Sequence, residues 1–155
     1  MLQKLLDGAH QHHGLTVLID CHSMPHEAMD GIAQGAQKRP DVVLGDRFGA
    51  AAGADIVEMV EAAFAAAGFT VARNAPFAGA YVTQAYGRPS RNQHAVQVEI
   101  DRSLYMNERT ITPNRDFDDV RERLRAVVAE VSTIGQSRLP LAAEWPSPQC
   151  AAFDN

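Results

Sequence analysis

Leu15-Thr16-Val17-Leu18-Ile19-Asp20-Cys21-His22-Ser23-Met24-Pro25 is the stretch on which the reading of this chain turns. A short apolar run rich in β-branched residues follows Gly14 and ends in an acid, a thiol, an imidazole and a hydroxyl at consecutive positions. The pattern predicts a buried strand over 15–20 whose C-terminal end delivers polar side chains, with His22 where the strand opens into a loop. Ligands of open α/β sheets bind just beyond the carboxyl ends of the strands, so a His there is placed to hold a metal or to move a proton. As a ligand it would need an acceptor for its other ring nitrogen, which Asp20, Ser23 or Glu99 could supply. A lone His more often serves structure; the company of other polar strand ends favours the ligand reading here. Cys21 should point to the opposite face from His22, which argues against a Cys-His nucleophile pair.

Working outward, Leu2, Leu5, Leu6 and Ala9 fall at helical spacing before the Gly14 stop, so residues 1–13 read as a helix. Residues 25–40 read as a loop beside the site. Asp41-Val42-Val43-Leu44 is a short strand running into Gly45-Asp46-Arg47-Phe48-Gly49. A helix follows over 54–67, with Ile56, Val57, Val60 and Phe64 on one face and Gly68 as its stop. Phe69 to Ala72 should form a strand that delivers Arg73 and Asn74. Residues 75–93 read as a long functional loop in which Tyr81-Val82-Thr83 is the one candidate short strand. From Ala95 to Ile100 the alternation of Val96, Val98 and Ile100 with Gln97, Glu99 and Asp101 predicts a strand polar along one face. The stripe Phe117, Val120, Leu124, Val127, Val131, Ile134 marks the last helix, and the Pro-containing tail 139–155 lacks either period. Strands interleaved with helices give an α/β fold in one domain, spanning 1–138.

With 155 residues, 46% hydrophobic and 21% charged, the composition is that of an ordinary globular domain. A net charge of −5 and the absence of any long basic run argue against nucleic acid as a partner. No apolar stretch is long enough to span a membrane and residues 1–8 lack a signal-peptide core, so the expected compartment is the cytoplasm. Cys21 and Cys150 make a poor disulfide framework, which agrees with a reducing environment.

Glu99 is the sharpest second candidate. A carboxylate between Val98 and Ile100 in mid-strand is costly to desolvate unless it meets a metal-bound water, an Arg or a His, which makes it a candidate general base. Its competing reading is a plain exposed sheet face shared with Gln97 and Asp101. Arg47 and Arg88 each sit in a Gly-containing turn past an apolar run, where a guanidinium suits bidentate capture of a carboxylate. Asn74 and Tyr81 would add neutral hydrogen bonds at the same mouth. The cluster His10-Gln11-His12-His13 lies at a helix end, where imidazolium interacts well with the helix dipole, and it is read as structural rather than metal-binding.

Five segments, LIDCHSMP (18–25), VVLGDRFG (42–49), NAPFAGAY (74–81), YGRP (86–89) and HAVQVEIDRSLYM (94–106), occur in this order, and with them the chain resembles the N-formylglutamate amidohydrolases, or deformylases, of histidine breakdown. The resemblance covers about residues 1–135. It implies a zinc-carboxypeptidase-like mixed sheet flanked by helices (phosphorylase/hydrolase-like), a divalent metal, zinc, and hydrolysis of N-formyl-L-glutamate to formate and L-glutamate. It further implies His22 as metal ligand, Glu99 as general base and Arg47, Asn74, Tyr81 and Arg88 as substrate-binding residues.

The family's members are nearly twice as long, and their N-terminal half contributes an early His-containing turn and an acidic residue that complete the metal site. The resemblance therefore implies that this chain corresponds to the C-terminal part of the domain. His22 would be its single firm ligand, with Asp20 or His94 improvising others. Weak zinc binding, slow turnover and self-association through an exposed sheet edge are then expected. Two other readings stand beside this one: a related N-acyl-amino-acid amidohydrolase, and a non-catalytic remnant that binds an acidic metabolite or a partner chain.

Overall fold

The computed structural model describes residues 1–30 and 39–135. The expected tail, 139–155, and residues 31–38 of the expected loop over 25–40 lie outside the described residues, and the loop's first part forms a short 3-10 helix, His26–Met29. Four strands form the main sheet: β1 (Thr16–Met24), β2 (Val42–Gly45), β3 (Val71–Arg73) and β4 (Gln93–Asp101), in the order β1-β4-β2-β3. β1 runs parallel to β4, β4 antiparallel to β2, and β2 parallel to β3, so the sheet is mixed, as the resemblance implies. A second, two-stranded ribbon joins β5 (Met106–Asn107) to β6 (Thr112–Pro113).

The helices are α1 (Leu2–His13), α2 (Ala54–Ala66), α3 (Tyr81–Tyr86) and α4 (Phe117–Val131). α1 ends at Gly14, which takes the left-handed conformation with φ 66° and donates its N–H to His10 O at 2.8 Å, so the histidine-rich turn does close a helix. α2 and α4 carry apolar stripes onto one face of the sheet, where Val42, Leu44, Val96 and Val98 meet Val57, Val60, Phe64, Val120 and Val127. Each fully buried side chain of this size contributes about 1.5–3 kcal/mol through removal of apolar area from water. The Arg123 guanidinium lies 3.8 Å over the ring of Phe69, closing the edge of this core.

Side chains alternate along a strand, so the other face carries Asp20, His22 and Met24 from β1, Gln97, Glu99 and Asp101 from β4, and Val43 from β2. This face is apolar at one end, where Met24, Met29 and Val43 cluster with Ala28, Ala72 and Phe77. The rest is polar, and it is where chemistry can sit. Among the described residues the outer edge of β1 has no strand partner.

Three expectations need correction. Tyr81-Val82-Thr83 is not a strand but the first turn of α3, because the strand it packs against, β4, has both edges paired by β1 and β2, and the Thr83 hydroxyl donates to Ala80 O at 2.8 Å. β1 does not end at 20; nine-residue pairing with β4 carries it to Met24, so His22 lies inside the strand rather than at its mouth. His94 belongs to the apolar-face register of β4, and its Nδ1 accepts from Gly53 N–H at 3.0 Å, so it is turned away from His22.

Candidate active site

The polar face is organised by register. In the parallel pair β1-β4, Asp20 is opposite Gln97 and His22 opposite Glu99, so the four side chains form a square on one side of the sheet. His22 Nε2 lies 3.0 Å from Asp20 Oδ2, which makes Asp20 the acceptor among the candidates that the sequence offers. Ser23 is engaged elsewhere: its hydroxyl accepts from Arg102 Nε at 3.1 Å. Glu99 is 8% exposed and Gln97 4%, so the plain exposed-face reading of Glu99 does not hold. The half-buried His22 and buried Glu99 thus share one side of the sheet on neighbouring strands.

A loop reaches this square because of two glycines. Gly45 lies opposite Gln97 in β2, and a Cβ there would stand 2.5 Å from Gly79 N and 2.7 Å from Ala78 C. With no side chain in the way, residues 78–80 lie directly on the sheet. Gly79 has φ 106°, a conformation other residues rarely adopt, and a Cβ on it would meet Thr83 Oγ1 at 2.6 Å and Arg47 Cγ at 3.2 Å. The Arg47 side chain therefore runs across Gly79, and Ala80 N–H donates to Gln97 Oε1 at 2.8 Å. Tyr81, three-quarters exposed, begins α3 immediately beyond.

The turn that presents Arg47 is bracketed by Asn74. The Asn74 side chain donates to Asp46 Oδ1 at 2.5 Å and accepts from the N–H groups of Asp46 at 3.1 Å and Phe48 at 3.4 Å. Arg47 itself has φ 56° and donates its N–H to Ala78 O at 2.7 Å. Among the described residues no carboxylate lies within ion-pair distance of its guanidinium. Arg88 is exposed, and its guanidinium donates to Gln84 O at 3.0 Å and to Gly87 O, fastening the end of α3. The contacts of Asn74 and Arg88 are thus with the chain's own turns.

Sequence reading passed over Gln97, Gly45 and Gly79. The signal for Gln97 is present in the alternation of β4, where it shares a face with Glu99; the glycines carry none until the loop that packs on them is seen. A second polar group lies further along the same face, where His26 Nδ1 is 2.7 Å from Asp101 Oδ2 and 2.9 Å from Ser103 Oγ.

As to a metal, His22 and Asp20 supply one nitrogen and one oxygen donor, whereas a catalytic zinc ordinarily has three protein ligands. Among the described residues no group of three or more His, Cys, Asp or Glu side chains is placed to hold an ion. The described square therefore does not by itself make a zinc site.

Cys21 points to the apolar face, away from His22, as its position in the strand predicts. Partial burial, and secondarily the charge of Asp20, push its thiol above the ordinary value of 9.0. In a Cys150→Ser background, alkylation by iodoacetamide should be slow at neutral pH and its rate should still be climbing past pH 9.0, since the thiolate is the reactive form. A rate that has levelled off by pH 8 would show a depressed pKa and reopen a nucleophilic role.

The fold and the polar face define a mixed-sheet α/β domain with a His and a buried carboxylate in register on neighbouring strands. The model of the N-formylglutamate amidohydrolase family matches residues 1–106, and the chain belongs to that family. It is 35% identical over 123 residues to an N-formylglutamate deformylase of Pseudomonas aeruginosa, covering 76% of this chain and 43% of that protein. A deformylase of the same name from Pseudomonas putida is 35% identical over 112 residues, covering 69% and 39%. The crystal structure of an N-formylglutamate amidohydrolase from Ralstonia eutropha JMP134 superposes with a TM-score of 0.70 at 32% identity, covering 84% of this chain and 46% of that one. The chain spans less than half the length of these relatives. Among the described residues no helix is long and apolar enough to cross a membrane.

Proposed function

We propose that this chain carries the general base and part of the substrate pocket of an N-formyl-L-glutamate hydrolase of histidine degradation, yielding formate and L-glutamate in the cytoplasm. The observation that carries the reading is the pairing of His22 with the buried Glu99 across β1 and β4. A buried carboxylate in register with an imidazole on the neighbouring strand is suited to take a proton from water and return it to the leaving amine. Arg47, held in a fixed turn with its charge available, suits one carboxylate of a dianionic substrate. Arg88, Tyr81 and Asn74 are assigned to the same pocket, Arg88 as a second cation and the others as neutral donors.

A divalent metal, zinc in this reading, would polarise the formyl carbonyl and lower the pKa of a bound water, with His22 as one of its ligands. The likeness to zinc carboxypeptidases is part of the same proposal. The described residues furnish too few ligands for tight binding, so the isolated chain should bind zinc loosely and turn over slowly.

The two supports of the pocket separate kinetically. Arg47→Ala should raise KM for N-formyl-L-glutamate with little change in kcat, because the clamp acts on ground state and transition state alike. Loss of a charge-assisted contact of this kind corresponds to about 1.5–3 kcal/mol, roughly 10- to 100-fold in kcat/KM. An unchanged KM would remove Arg47 from the pocket. Comparing formyl with acetyl substrates tests the related N-acyl-amino-acid reading, which predicts no preference for formyl.

A further inference from the structure

Gln97 is buried among groups that fix which way its amide points. Ala80 N–H can only donate, and it lies 2.8 Å from Oε1; the Glu99 carboxylate can only accept when ionised, and its Oε1 lies 2.8 Å from Nε2. Both neighbours demand the same orientation, so the amide has one consistent setting. The bond to Glu99 is charge-assisted and offsets part of the desolvation that the carboxylate suffers at 8% exposure.

We propose that Gln97 is the positioning residue of this site: one end of its amide holds Glu99 in a single rotamer, and the other ties Glu99 to the backbone of residues 78–81. That segment begins α3 with Tyr81 and is crossed by the Arg47 side chain at Gly79. The residues assigned to substrate and the residue assigned to the proton are thereby set in one frame, through a side chain that itself need not touch substrate. Gly45 is what allows the segment close enough for the bond from Ala80 to form. The inference rests on the reading of Glu99 as base for its importance, but its geometry is testable without turnover.

The test is NMR on the 155-residue chain, comparing wild type with Gln97→Met and Gln97→Glu. Three-bond couplings across the Cα–Cβ and Cβ–Cγ bonds report the Glu99 rotamer, and exchange of the Ala80 amide reports the other end. In wild type Glu99 should occupy one rotamer and the Ala80 amide should be protected. In Gln97→Met both should be lost, with averaged Glu99 couplings and Ala80 exchange faster by about tenfold. In Gln97→Glu two buried carboxyl groups this close share one proton, so the new side chain still donates to Glu99 and accepts from Ala80, and both readouts should stay as in wild type. A Gln97 that served only to anchor the loop would leave Glu99 in one rotamer in Gln97→Met. Single-rotamer couplings for Glu99 in folded Gln97→Met, or averaged couplings in Gln97→Glu with Ala80 still protected, would overturn the proposal. Failure of the chain to hydrolyse N-formyl-L-glutamate would count against the proposed function and leave these couplings as they are.

Discussion

Glu99→Gln is expected to lower kcat and kcat/KM for N-formyl-L-glutamate together by about 10²- to 10⁴-fold, the range for loss of a general base. KM should change little, because the substitution keeps the shape of the side chain and leaves Arg47 and Tyr81 where they are. The substitution also keeps a carbonyl oxygen that can accept from Gln97 Nε2, so the bond that fixes the side chain survives. What disappears is the capacity to accept a proton from water. Steady-state formate release by the variant and by wild type checks this, and a variant with undiminished kcat would end the assignment of Glu99 as base.

Gly45→Val is expected to disturb the fold around the site. Its Cβ would sit 2.5 Å from Gly79 N, a contact with backbone that cannot be relieved by turning a side chain. Either β2 or the 78–80 segment must move. Forced overpacking of this kind costs about 1–3 kcal/mol, a substantial part of a single domain's stability. The displacement should be felt at the site, since lifting residues 78–80 breaks the bond from Ala80 N–H to Gln97 Oε1 and carries Tyr81 away with it. Thermal unfolding should show a lowered Tm, and hydrogen exchange should show loss of protection at Ala80. A Tm equal to that of wild type would mean that the loop does not rest on Gly45.

Much of this arrangement is legible in the sequence, for reasons that differ from element to element. The strand character of residues 16–19 and 95–100 follows from β-branched content and alternation, and alternation alone puts Gln97, Glu99 and Asp101 on one face. The helices α2 and α4 are read from apolar stripes that need a sheet to cover them. The length of β1 is not legible, because Asp20-Cys21-His22-Ser23 looks like a loop until the parallel register with β4 is known; pairing, not propensity, extends it to Met24. α3 was hidden for the same reason in reverse: Tyr81-Val82-Thr83 has strand propensity, but no edge is there to pair with it. The candidate site shows the same division. His22 and Glu99 stand out by residue type, whereas the bracketing of the Arg47 turn by Asn74 and the closeness of residues 78–80 to Gly45 depend on contacts between segments about 30 residues apart in the chain.

The central claim is that this polar face hydrolyses N-formyl-L-glutamate with Glu99 as its base. Its most direct test is proton NMR of the purified chain with N-formyl-L-glutamate and added zinc, following the formate signal beside that of L-glutamate. The account predicts slow, equimolar appearance of the two products, stimulated by zinc and abolished in Glu99→Gln. The absence of both products with zinc present, or their release at the same rate from the Glu99→Gln chain, would contradict it.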